Sequence, residues 1–207
     1  MGGSTRLAAK AVLVLGLVIA GRGLGGGPPQ PDASAAGTNG VYWYADQDRP
    51  APPLPAALPL RVRIPSIGVD APLTALSLDR AGHLVPPPES RRNLAGWYAD
   101  GTVPGAAGPA IIAGHVDNGR GPAVFYGLGS LAQGDTVDVV RADRRTAVFL
   151  VDSVQVFAKD KFPDKEVYGA TSIAALRLIT CGGGYQAGKG YLGNVVVFAH
   201  LVSRPPG

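Results

Sequence analysis

The sequence predicts a mostly β domain, closed or nearly closed, running from about Leu60 to about Val202. Three observations predict it. Short apolar runs are separated by Gly, Pro and Asp, Leu60-Arg61-Val62-Arg63-Ile64 alternates apolar with charged, and helical periodicity is weak everywhere after the first twenty-odd residues. A closed sheet leaves no edge strand and carries functional groups on its loops and strand ends.

Ahead of this domain lie two different materials. Arg6 and Lys10 precede the apolar run Ala11–Ala20, which Gly21 and Arg22 follow. That run falls short of the about 20 residues a spanning helix needs, and matches the apolar region of a secretory signal behind a positive start. Residues 1–22 are therefore read as a signal peptide or membrane anchor. The anchor is the leading reading, with cleavage near Ala33-Ser34-Ala35 and a buried soluble helix as alternatives. Both export readings put the working domain outside the cell. Residues 23–57, rich in Pro, Gly and Ala, lack core-building periodicity and read as a flexible extracellular spacer. Val41-Tyr42-Trp43-Tyr44 within it is either a short strand or an apolar hook that docks on the domain.

The domain itself occupies residues 58–207. Its expected strands are Leu60–Ile64, Gly68–Ala71, Ala110–Ala113, Thr136–Arg141, Thr146–Phe157, Leu176–Thr180 and Asn194–Val202. The stretch 146–157 is long for one strand and predicts a bend or bulge near Asp152-Ser153. Asp143-Arg144-Arg145 predicts a tight hairpin, Pro65, Pro86–Pro88 and Pro163 mark strand ends, and Pro122–Leu131 has room for a short helix.

Composition removes several function classes. The 207 residues hold one cysteine, so an internal disulfide or a four-thiolate zinc site is excluded and any thiol chemistry falls on Cys181. Three widely spaced histidines with no acidic cluster give no metal motif, and no cofactor is expected. The net charge of +4 is scattered rather than gathered in a basic stripe, which argues against nucleic acid as a partner.

The chemistry lies in two segments. Ile111-Ile112-Ala113-Gly114-His115-Val116-Asp117-Asn118 is a strand that ends in a histidine, and Leu176–Thr180 is a strand that leads to Cys181 and three glycines. A strand end fixes the Cα while the following loop exposes the side chain and supplies backbone donors, a suitable way to present a nucleophile and a base. Each residue also has a plain structural reading. Cys181 could be a small buried hydrophobe, and His115 a loop imidazole bonded to Asp117. His83 reads as a turn residue and His200 as a strand-face residue. In an exported chain an exposed free thiol is a liability, which favours chemical use of Cys181.

Gly114-His115-Val116-Asp117-Asn118 and Leu178-Ile179-Thr180-Cys181 resemble the histidine and cysteine motifs of the sortases. Pro65-Ser66-Ile67-Gly68-Val69, Ala95-Gly96-Trp97-Tyr98, Gly108-Pro109-Ala110, Gly121–Phe125 and Arg177–Gly183 are similar to the actinobacterial branch called class F, and the resemblance covers roughly 58–202. It implies a closed eight-stranded β-barrel with short helices. It also implies a cell-surface cysteine transpeptidase without cofactor, in which Cys181 attacks the threonine carbonyl of an LPxTG-like protein or peptide. His115 serves as acid and base, and an amine, such as that of a peptidoglycan precursor, takes the acyl group. Backbone N–H groups of Gly182 and Gly183 are candidates for the oxyanion, and Asp117 for orienting His115.

One departure stands out. The resemblance expects an arginine where the chain has Leu192, and leucine has no donor. Lys189 and Arg177 are candidates for electrostatic support, with Gln186 or backbone as substitutes. A catalytically impaired sortase-like protein, or a cell-wall binding module without chemistry, is the alternative. Segments 159–174 and 182–193 are expected to wall the substrate.

Overall fold

The computed structural model describes residues 27–31, 48–203 and 205. The expectations for the leader, for the Ala33–Ala35 cleavage pattern and for the Val41–Tyr44 hook lie outside the described residues. Among the described residues, no helix is long and apolar enough to cross a membrane.

The strands are β1 (Pro59–Ile64), β2 (Val69–Leu76), β3 (Ala95–Tyr98), β4 (Gly108–Gly114), β5 (Asp117–Asn118), β6 (Gly121–Pro122), β7 (Thr136–Arg141), β8 (Thr146–Ala158), β9 (Ala174–Gln186) and β10 (Gly190–Val202). Among the described residues one short helix, α1, spans Asp164–Tyr168, and 3-10 turns occupy Pro65–Ile67, Leu128–Ser130 and Lys159–Lys161. Eight strands close a barrel in the order β1-β2-β3-β4-β9-β10-β8-β7, with β7 pairing back on β1, while β5 and β6 form a separate ribbon. This is the closed, mostly β architecture the sequence predicts.

Alternation decides what fills the barrel. Val62, Ile64, Ile112, Phe149, Leu176, Leu178, Val195 and Val197 meet in one buried cluster drawn from most of the strands. The residues between them on β4, β9 and β10, including Ile111, Ala113, Ile179, Val196 and Phe198, point the other way. They form a second buried cluster under Val167 of α1 and Leu84. Cys181 belongs to this second cluster, so the candidate nucleophile sits on the outer face of the sheet beneath covering loops.

The predicted hairpin at Asp143–Arg145 forms with Arg144 at φ 64°. The predicted irregularity in β8 is a bulge at Asp152: Phe198 pairs with Ser153, and Ala199 already pairs with Val151. Residues 48–57, expected to be spacer, are instead held on the barrel. Ala51 N–H donates to Leu201 O, Leu54 N–H donates to Gly105 O, both at 2.8 Å, and Arg141 bonds the Pro55 carbonyl.

Candidate functional site

β4 and β9 run parallel in a constant register, from Gly108 opposite Ala174 to Ala113 opposite Ile179. Continuing that register by two residues puts His115 level with Cys181 on neighbouring strands, which lie about 4.8 Å apart in a sheet. Ile111 and Ala113, two and four residues before His115, share the buried cluster of Ile179 and Cys181, so both candidate residues belong to the same face. The Thr180 hydroxyl donates to Gly114 O at 2.8 Å and locks the two strands just where the histidine and the cysteine follow.

The sequence expectation of an exposed thiol at a strand end needs correction. Cys181 lies inside β9, which continues through the three glycines to Gln186, and is 4% exposed; His115 is 8% exposed. The glycines form strand because they pair with β10, Gly182 lying opposite Gly193. Burial pushes the Cys181 thiol up, Lys159 pulls it down and Asp117 pushes it up again. The upward causes win, so at neutral pH the thiol keeps its proton and the reactive thiolate is the minor form.

His115 is oriented by backbone. Its Nε2 lies 2.6 Å from Pro87 O. A carbonyl only accepts, so Nε2 carries the proton and the neutral ring keeps its lone pair on Nδ1. Asp117, expected as the orienting group, accepts instead from the Tyr191 hydroxyl. That bond joins β5 to β10, and Tyr191 packs against the cluster that holds Cys181. Burial, followed by the Asp117 bond and charge, raises the Tyr191 phenol well above its ordinary value, so it stays a neutral donor.

The β9–β10 pairing is irregular beside Tyr191. Tyr191 pairs with Tyr185 while Gly193 pairs with Gly182, so two residues of β9 oppose one of β10. The two are Gly183 and Gly184, with φ of 73° and 87°, a bulge that glycine adopts without strain. Tyr191, not Leu192, packs against the cluster of the cysteine, and Leu192 is 45% exposed.

The remaining sequence candidates are scattered. Arg177 stacks over the Phe198 ring at 4.6 Å and donates to Leu176 O. Lys189 and Gln186 close the exposed tip of the β9–β10 hairpin, Lys189 N–H donating to Gln186 O. Gly182 is buried, and the Gly183 N–H donates at 3.0 Å to the side chain of Gln30 from the preceding segment. The cation that acts on the thiol is Lys159, in the 3-10 turn after β8. Sequence reasoning missed it, along with Tyr191, because nothing in the chain order ties either to Cys181. The segment 159–174 carries that turn and α1, while 182–193 is hairpin rather than loop.

Residues 62–202 match the sortase domain family. No curated protein matches the chain. Solved structures similar in fold include sortase A from Corynebacterium diphtheriae, with TM-score 0.54 and 19% identity, covering 74% of this chain and 64% of that one. Sortase C1 from Streptococcus suis gives TM-score 0.54 and 19% identity, covering 71% of this chain and 74% of that chain. Sortase C-1 from Actinomyces oris gives 0.55 and 18%, covering 70% and 76%. This chain thus spans less than two thirds of the Corynebacterium enzyme. With the family match extending over most of the chain and the eight-stranded barrel beneath it, the protein belongs to the sortase family.

Proposed function

We propose that this chain is a cysteine transpeptidase of the class F type, acting on LPxTG-like sorting signals at the extracellular face of a cell membrane. Cys181 is the nucleophile and His115 the acid and base. In the first step the Cys181 thiol passes its proton to His115 Nδ1, the thiolate so formed attacks the threonine carbonyl, and the C–N bond to glycine breaks as Nδ1 gives that proton to the leaving amine. The acyl group then rests on sulfur as a thioester. An incoming amine, such as that of a peptidoglycan precursor, attacks the thioester, its proton passes to Nδ1, and the C–S bond breaks to return the thiol. Nδ1 serves in both directions because Nε2 is tied to Pro87 O.

The observation that supports the reading is the parallel register of β4 and β9, which runs to Ala113 opposite Ile179 and, carried two residues further, would set His115 level with Cys181. The class F subtype is supported by the motif text alone, and the outward-facing location by the positive and apolar leader. The alternative, a catalytically impaired sortase-like or non-enzymatic cell-wall binding protein, draws on Leu192 at the expected arginine position.

Incubating the chain with LPxTG peptide variants and weighing it separates the two. A peptide adduct on Cys181, absent in Cys181→Ala, is expected, and it should form faster at alkaline pH because burial raises the thiol. No adduct anywhere from about pH 6 to about pH 9 would overturn the reading.

A further inference from the structure

Asn194 pairs directly with Cys181 in the β9–β10 ladder. Directly paired residues leave a sheet on the same face with Cβ atoms about 4.5–5.5 Å apart. The next residues on that face of β10, Val196 and Phe198, share the apolar cluster of Cys181, and Phe157, which faces Asn194 from β8, packs on it too. Asn194 is 1% exposed, yet neither its Oδ1 nor its Nδ2 has a hydrogen-bond partner. A carboxamide can donate twice and accept at its oxygen, so both of its polar atoms have been taken from water with nothing in return.

A fold does not need this residue. β10 continues as Val195-Val196-Val197, and a valine at 194 would pack beside the cysteine without a desolvated amide. The nearby polar groups are already committed, Thr180 to Gly114 O, Tyr191 to Asp117, and Gly183 N–H to Gln30. The carboxamide of Asn194 is a polar group held ready beside the sulfur.

We propose that Asn194 is a catalytic residue of this site, donating Nδ2–H to the substrate carbonyl oxygen as Cys181 attacks. The inference rests on the acyl-transfer reading. When sulfur bonds to the carbonyl carbon, the C=O π pair moves onto oxygen, and a preoriented amide donor in a water-excluded site stabilises that charge without transferring its proton. The same donor holds the oxyanion of the second step. This accounts for a site in which the expected arginine position is an exposed leucine.

The test compares wild type, Asn194→Ala and Asn194→Val in three measurements: single-turnover acylation by an LPxTG peptide, alkylation of Cys181 by iodoacetamide, and thermal unfolding. Acylation is expected to fall about 10²–10³-fold in both variants. Alkylation occurs at a saturated carbon, builds no oxyanion, and should change little. Unfolding of Asn194→Val should occur at the wild-type temperature or above, because two orphaned polar atoms are replaced by methyl groups. Acylation by the variants within about threefold of wild type, far below the loss of a donor, would overturn the assignment. A marked drop in the unfolding temperature of Asn194→Val would overturn it as well, by revealing a paired structural amide. If wild type itself forms no acyl-enzyme, the acyl-transfer reading fails, and this assignment with it.

Discussion

Two sets of buried polar side chains sit on the same barrel and are treated in opposite ways. Where residues 48–57 are fastened, the buried side chains of Arg141 and His200 are bonded. Arg141, 1% exposed, donates to the carbonyls of Pro55 and Pro104 and to the Asp143 carboxylate. His200, also 1% exposed, has Nδ1 2.7 Å from Asp152 Oδ1 and Nε2 2.7 Å from Asp48 O. Around Cys181 the Asn194 amide is unbonded and the thiol is held away from its charged form. Arg141 and His200, which fasten the chain to the barrel, are satisfied within the fold; the Asn194 amide is left at a cost to stability.

The largest effect expected from this contrast is at Arg141. Arg141→Met strips the buried Pro104 carbonyl and the part-buried Pro55 carbonyl of their donor at once, and should lower unfolding free energy by roughly 2–4 kcal/mol in urea titrations. Asn194→Val, at the same burial, should cost nothing. The contrast breaks if the two substitutions shift the midpoint equally.

A smaller effect, dependent on pH, is expected at His200. Burial alone would push the imidazole down, but the Asp152 bond and charge and the Asp48 carbonyl push it up, and the net direction is above the ordinary 6.5. Both ring nitrogens face acceptors, so the doubly protonated ring is the form that satisfies both. With the folded value raised, the stabilisation is fully present below about pH 6.5 and is lost as pH rises through the folded value. The urea midpoint should therefore fall over that alkaline step, and Asp152→Asn should flatten it. An unchanged slope in Asp152→Asn would show that the carboxylate does not hold the proton.

How much of this was legible in the sequence follows the range of each signal. Alternation runs along one strand, so Thr136–Arg141 emerged as β7, and the excess length of 146–157 foretold the Asp152 bulge. β3 was invisible to alternation because Ala95-Gly96-Trp97-Tyr98 is short and carries a glycine that reads as a turn. The glycine is needed because a Cβ there would lie 2.4 Å from Leu76 Cγ on the neighbouring strand. His115 and Cys181 were found through motif text, whereas Asn194, Tyr191 and Lys159 acquire meaning from register across strands and from loop packing. Neither exists in the order of residues. The glycines after Cys181 show the same limit. They read as a loop, and became a bulged hairpin because β10 supplied partners for their backbone.

The smallest expected effect concerns the charges facing the thiol, and it sharpens the contrast from the catalytic side. Burial, the main cause of the raised Cys181 thiol, is shared by any substitution that keeps the cluster closed, while Lys159 and Asp117 act on it in opposite senses. Asp117→Asn retains an acceptor for the Tyr191 hydroxyl and removes a negative charge, so the pH midpoint for alkylation of Cys181 should move down. Lys159→Met removes the opposing positive charge and should move the midpoint up. The double variant should fall between the two. These charges reach the sulfur through a low-dielectric cluster, so added salt should diminish the shifts less than it would for a surface pair. Single variants that move the midpoint in the same direction would mean that the two charges do not face the sulfur as a pair, and that burial alone sets its reactivity.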